Sequence, residues 1–196
     1  MARTGPVTKD TTTVALGLAQ IRVGASAANV NQIEPVLLAA NSIGALASTK
    51  FISNQDFFKI ESGFPLLEDA SIPLRESAAL ECAFKEITPM NLALAKGIDS
   101  TTGYDDTHSG EVVLGMLSTP AFIRMEAVYT YPDGTNKMYI IFPRAQAISK
   151  VEVDLQAESN ANVPLTFEAK RADSETDGGN AVWDAKPLGR ICWKES

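Results

Sequence analysis

The chain has 196 residues, enough for one domain with a sizeable core, and its hydrophobic content of 45% is that of a folded protein. Its formal net charge of −7 works against ordinary nucleic-acid binding, which needs basic surface to neutralise phosphate. Two cysteines, Cys82 and Cys192, are too few for a disulfide scaffold, and the apolar run from Pro35 to Ala47 is too short, and interrupted by Asn41, to cross a membrane as a helix.

Residues 1–12 read as a flexible arm. Arg3 and Lys9 precede the apolar stretch Val14–Ala19, and Ala25-Ser26-Ala27 has the form of a cleavage site. The stretch ends at Gln20 and Arg22, shorter than a signal core needs. It is taken as a strand over Thr13 to Val23, which makes the protein cytoplasmic by synthesis. Its apolar side changes from Val14, Leu16 and Leu18 to Ile21 and Val23, so a bulge is expected near Ala19-Gln20.

Residues 24–56 are rich in Ala, Asn and Ser and have poor periodicity. A connection this long without clear structure is usually functional. Its apolar patches, with Val36, Leu37, Leu38, Ile43 and Leu46, suggest a loop that orders against a partner subunit. Deleting Val36 to Leu46 is therefore expected to leave a folded protein that no longer assembles.

Phe57 to Glu61 is a short strand candidate and Ile72 to Ile87 a long one. On the long strand Leu80, Cys82 and Phe84 alternate with Glu81 and Lys85, so Cys82 reads as a buried free thiol. A helix follows. Thr88 caps it, Pro89 suits its first position, Gly97 ends it, and Met90, Ala93 and Leu94 supply an apolar stripe.

Asp99 to Gly110 is a polar loop, and Glu111 to Leu117 a strand. His108, the one histidine, stands near Asp105, Asp106 and Glu111. That set could ligate a metal, but it matches neither an EF-hand loop nor an H-E-x-x-H helix, and a solvated loop is the plainer reading. The chain contains no G-x-S-x-G elbow and no phosphate-cradling glycine loop, and a Cys82–His108 pair would need a mid-strand thiol to meet a loop. No catalytic constellation, cofactor site or metal site is assigned. The stretch Asp99 to Tyr104 could recognise a ligand, though a simple connection between helix and strand is the favoured reading.

Four strands are then expected in a row. Ala121, Ile123, Met125, Ala127, Tyr129 and Tyr131 share one face of the first; Arg124, Glu126 and Thr130 share the other, expected to be wet. Residues 132–136 turn the chain. Lys137 to Phe142 returns, with Pro143 as its stop. Val151, Val153 and Leu155 alternate with polar residues in the third, and Val163, Leu165, Phe167 and Ala169 in the fourth. The tail after Arg171 is acidic and Gly-rich. Its Trp183 and Trp193 imply docking, either at a subunit interface or within the same chain.

The blocks ESAALECAFKEITPMNLALAKG (Glu76–Gly97), YTYPDGTNKMYIIFPRAQA and VEVDLQAESNANVPLTFEAKRAD, in this order, resemble the major tail tube proteins of tailed bacteriophages. IIFPRAQ at Ile140–Gln146 is the most specific part, and the resemblance spans roughly Val14 to Asp173. It implies a mainly β fold, a β-sandwich or rolled barrel with one short flanking α-helix. The domain would be residues 13–172, with the long loop at 24–56 and a docked extension at 173–196.

It also implies a non-enzymatic virion component without cofactors. Such subunits form stacked, hexameric rings around a channel for the tape-measure protein and DNA. The other partners would be the tail terminator and baseplate proteins, and the location the virion tail. Acidic residues on wet strand faces, Glu152, Asp154 and Glu168, are candidates for a channel lining that repels phosphate. A type VI secretion or other contractile-injection tube shares this pattern. A rival of another class is a carbohydrate-binding or decoration β-sandwich, for which Tyr129, Tyr131 and Tyr139 could form an aromatic face.

Overall fold

A computed structural model describes residues 17, 19–65, 67–97, 112, 119–148, 150–153 and 162–194. Among these, seven strands form one antiparallel sheet: β1 (Gln20–Ala25), β2 (Leu46–Ser62), β3 (Leu67–Phe84), β4 (Ile123–Thr130), β5 (Lys137–Ala147), β6 (Val163–Ala169) and β7 (Arg190–Lys194). The order is β1-β4-β5-β6-β3-β2, with β7 added to β5. β5 divides its second edge between two partners. Lys137 to Ile141 pairs with β7, and Ala145 to Ala147 pairs with β6.

The sheet rolls until its two ends meet. Arg22 of β1 forms a bridge with Ser42, and the Ile43 amide donates to the Ile21 carbonyl at 3.0 Å, just before the chain enters β2. One apolar core fills the roll, built from Ile21 and Val23, Leu80, Cys82 and Phe84, Met125 and Ala127, Phe142, and Val163, Leu165 and Phe167. These positions alternate along their strands, which puts each set on one side of the pleat. The architecture is a rolled sheet rather than two packed sheets.

Among the described residues two α-helices flank it. α1 (Ser26–Asn29) is a single turn absent from the sequence reading, and α2 (Pro89–Ala95) is the expected helix. Thr88 Oγ1 accepts from the Asn91 amide at 3.1 Å, Pro89 opens α2, and Gly97 closes it at φ +68°. A side chain at Gly97 would also strike Pro120. The buried side of α2 is Asn91, Leu94 and Ala95, not Met90 and Ala93. Asn91 is polar yet buried because its amide donates to the carbonyls of Ile43 (3.1 Å) and Glu86 (2.7 Å), tying α2 to the closure of the roll.

Three strand expectations change. β5 runs through Pro143. The register with β4 shifts there, from Met125↔Phe142 to Ile123↔Ala145, so the missing amide falls in an irregularity of the ladder. The Pro143 carbonyl accepts from Ser26 Oγ at 2.8 Å. Residues 150–153 are not in a strand, although Val151 and Val153 still turn toward the core; β6, the next strand, has both edges taken by β3 and β5. The short candidate at Phe57 is part of a 17-residue strand, β2, paired along its length with the 18-residue β3.

A second apolar cluster lies on the outer face of β4 and β5. Val30, Ile141, Ala172 and Trp183 are buried there, with Ile33, Tyr139 and Cys192 against them. The outer face of β4 is therefore dry as well. Cys82 and Cys192 are both free and sit in different clusters. Burial pushes the Cys82 thiol up to about 12, which keeps it protonated and unreactive at neutral pH.

Candidate assembly surface

β2 and β3 outgrow the sheet. β6 pairs with β3 only from Ala79 to Phe84, so beyond Ile52 and Ala79 the ribbon has no third strand among the described residues. From Ile52 to Ser62 it projects by roughly 35 Å, at about 3.3 Å per residue. Gly63, at φ +85°, allows the turn. Nearly every residue of this arm is exposed.

The arm is two-faced. The register pairs Phe58 with Ile72, Ile60 with Ala70 and Ser62 with Leu67, so these side chains share one face. Lys59, Glu68 and Ser71 share the other, where Lys59 Nζ lies 2.6 Å from a Glu68 oxygen and Glu68 accepts from Ser71. On the first face Phe58, Ile60, Leu67 and Ile72 are exposed, as are Phe57 and Leu74 elsewhere on the arm, and Phe64 at the tip is fully so. A contiguous uncovered apolar face of this kind marks an interaction surface. Register shifts at Asp56/Phe57 and Ile60/Glu61 bulge the β3 side at Leu74 and Asp69, which twists the arm and blunts its edges.

Where the arm leaves the roll there is a groove of about 210 Å³. It lies in the fork between β7 and the base of the arm. Phe51, Phe142, Leu188 and Ile191 line it, with Ser53, Glu76, Ala78 and Arg190. The rings of Phe51 and Phe142 are tilted, 6.4 Å apart.

Residues 30–38 form a strap across the outer face of β4. Arg124 and Glu126 hold it, both fully buried and paired at 2.7 Å. Arg124 Nη1 donates to the carbonyls of Asn29 (2.7 Å) and Gln32 (2.6 Å), and Nη2 to that of Glu34 (2.7 Å). Glu126 accepts from the amides of Val36 (3.0 Å) and Leu37 (3.2 Å). The expectation of a wet face for these two residues is overturned. Each charge is buried because its hydrogen-bonding capacity is met by strap backbone that has no sheet partner among the described residues. Burial pulls the Arg124 guanidinium below its usual value, and Glu126 works against that shift. Outside, Glu34 bridges Arg190 (2.7 Å) and Lys194 (2.9 Å) on β7; hydrogen bonds from Lys194, then Arg190, hold its carboxyl below the ordinary range.

The proposed loop residues divide accordingly. Leu37, Ile43 and Leu46 are buried in the chain's own interior, Val36 is half-buried, and Leu38 is 71% exposed. Trp183 is fully buried in its own chain, its Nε1 donating to the Val30 carbonyl at 2.6 Å, so it is not an exposed anchor. Trp193 is 60% exposed on β7 and donates to the Tyr131 hydroxyl at 3.1 Å. Tyr129 is buried, with its ring edge-on to that of Tyr131. The apolar arm was missed because its two strands, read singly, look like core strands; the signal available was two long runs flanking Gly63, Phe64 and Pro65.

Of the acidic candidates, Glu152 pairs with Lys150 at 3.0 Å and Glu168 with Lys170 at 2.8 Å, while Asp154 lies outside the described residues. Glu168 belongs to the face of β2, β3 and β6 that turns away from the core. Lys50–Glu81 (3.3 Å) and Arg75–Asp56 (3.2 Å) stand on the same face. On that face each of these three carboxylates is matched by a cation. His108, the polar loop at 99–110, the strand at 111–117 and the arm at 1–12 likewise fall outside the described residues, apart from residue 112.

No family model matches this chain, and no curated protein does. Solved structures resemble it at low identity, among them the following two. The tail of an empty GTA particle, refined with C6 helical symmetry, aligns at a TM-score of 0.41 and 11% identity over 79% of this chain and 92% of that one. The anti-feeding prophage cap, which terminates the AFP tube, aligns at 0.45 and 10% identity over 97% of this chain and 99% of that one.

Proposed function

We propose that this chain is a structural subunit that assembles with copies of itself into a tail-type tube, with hexameric rings stacked around a channel. The observation that carries this reading is the uncovered apolar face of the β2–β3 arm. An isolated two-stranded ribbon is marginal in water, so an arm of this length needs a partner to hold its shape. Each large apolar side chain on it returns about 1.5–3 kcal/mol when fully buried. Association costs about 4–15 kcal/mol in lost freedom, so a single arm contact is weak and a closed assembly with many contacts is strong. The rolled sheet with its short flanking helix and the ordered blocks of the sequence support the same reading.

In a tube the part of the β2, β3 and β6 face nearest the roll, which carries the Lys50–Glu81, Arg75–Asp56 and Lys170–Glu168 pairs, is suited to line the channel, while the apolar part further along the arm meets a neighbour. Those three carboxylates are matched by Lys50, Arg75 and Lys170, so the lining neither grips nor strongly repels phosphate. The tape-measure protein and DNA would pass over it, with terminator and baseplate proteins at the tube ends and the virion tail as location. Catalysis has no part in this role. A contractile-injection tube would use the same surfaces, and the genes beside this one separate the two systems.

The test is negative-stain electron microscopy of the purified, concentrated protein, with and without deletion of the arm. Hollow tubes or six-fold rings that vanish on deletion support the reading. Tubes that persist without the arm, or compact assemblies without a channel, overturn it.

A further inference from the structure

We propose that the groove between β7 and the arm base receives the arm tip of a second copy of this chain, so that copies join tip to groove. This rests on the assembly reading above and names the two surfaces that meet. Phe64 is fully exposed at the tip, with Leu67 exposed beside it. The groove offers about 210 Å³ between Phe51, Phe142 and Ile191. An apolar cavity of about 150 Å³ is enough for a benzene ring, so one phenyl group is accommodated.

The occupant comes from another copy for a geometric reason. Phe51, Ser53 and Ala78 form one wall of the groove and are themselves the base of the arm. The tip stands roughly 35 Å further along a paired ribbon and cannot fold back to its own root. Charge supports the match. The groove continues past Glu76, Leu188 and Gly189 to Lys186, to which no carboxylate is bonded among the described residues. At the tip, Glu61 and Asp69 have no bonded cation among the described residues. Glu76 carries the same sign as these acids and favours a register that sets them toward Lys186.

Tip and groove are different surfaces, so the contact is heterologous. Every added copy brings one free tip and one free groove, and growth ends only if the copies close a ring.

Two full-length variants test this. Phe64→Ser removes the plug, and Ser53→Trp fills the socket; both sites are exposed, so both variants should fold and melt like the parent. Each alone should need more than about tenfold higher concentration to assemble, as loss of one buried aromatic implies. Mixed in equal amounts they should form one-to-one dimers and nothing larger, because only one plug and one socket remain per pair. Assembly of Phe64→Ser at the parent's concentration, or a mixture that stays monomeric, overturns the proposal.

A photo-crosslinker at position 64, in a mixture of isotopically light and heavy chains, supplies a second readout. Inter-chain products joining position 64 to residues 188–191 or 51–53 support the contact. Products only elsewhere, or none, refute it. Hollow tubes built by Phe64→Ser would sink this contact and leave the tube reading standing. One-to-one dimers in the mixture, with open filaments and no channel in the parent, would do the reverse.

Discussion

Arg124 and Glu126 show what a single residue's chemistry hides in a sequence. Their alternation with Ile123, Met125 and Ala127 was legible and correct, but the charge implied solvent on the opposite face, and the face is covered. Nothing local to β4 announces the strap, because what buries these side chains is backbone from residues 29–37 that has no periodicity to read. Removing one partner leaves the other buried and unmatched, at a cost of about 3–5 kcal/mol. Glu126→Ala should therefore lower the urea midpoint strongly, with loss of hydrogen-exchange protection at the Val36 and Leu37 amides first. Trp183→Ala should cost about 3–5 kcal/mol through the cavity left beneath the strap, while Trp193→Ala, on the exposed side of β7, should barely shift the melting temperature. Glu34 gives the strap an acid-sensitive tie. Its carboxyl is depressed in the fold, so its contribution is present above the ordinary value of 4.5 and fades as the pH falls through the lowered one. Exchange at the strap should rise on acidification over that range, and Glu34→Gln should remove the dependence.

The elements most visible in the sequence were those whose neighbours matter least. α2 was readable from Thr88, Pro89 and Gly97 because caps and glycine torsion are local. β4, β6 and the inner part of β3 were readable because one face of each is core. The arm was not, since strands inside a sheet and strands beyond it have the same alternation, and only pairing reveals that β3 loses β6 at Ala79. This reverses the deletion expected from the sequence. Residues 36–46 contain Leu37, Ile43 and Leu46, all buried, and the segment that closes the roll; its removal should unfold the chain. The dispensable element is the arm. Replacing residues 56–75 by Asn-Gly joins Gln55 to Glu76, which already face each other across the ladder, through a turn that suits a two-residue hairpin. The shortened protein should keep its melting temperature within a few degrees and stay monomeric by sedimentation at concentrations where the parent assembles.

For the whole molecule, seven of the exposed large apolar side chains among the described residues lie on the arm, between Phe57 and Leu74. Several carboxylates are matched locally, at Lys150, Lys170, Lys50 and Lys59, yet the chain as a whole carries −7. Copies approaching one another therefore repel at long range while the arm offers short-range apolar contact. Salt acts on these two terms unequally. The Debye length shrinks from about 30 Å at 0.01 M to about 8 Å at 0.15 M, which removes most of the repulsion between exposed charges. Burial of the Phe58–Ile72 face is not screened, and an exposed pair such as Lys186 with Asp69 contributes only about 0–1 kcal/mol to begin with. The concentration for half-assembly should therefore fall as salt rises from 10 to 150 mM, on the order of the screening range itself. Sedimentation velocity over that series checks the balance: a threshold that rises with salt would mean that ion pairs, not the apolar arm, hold the copies together.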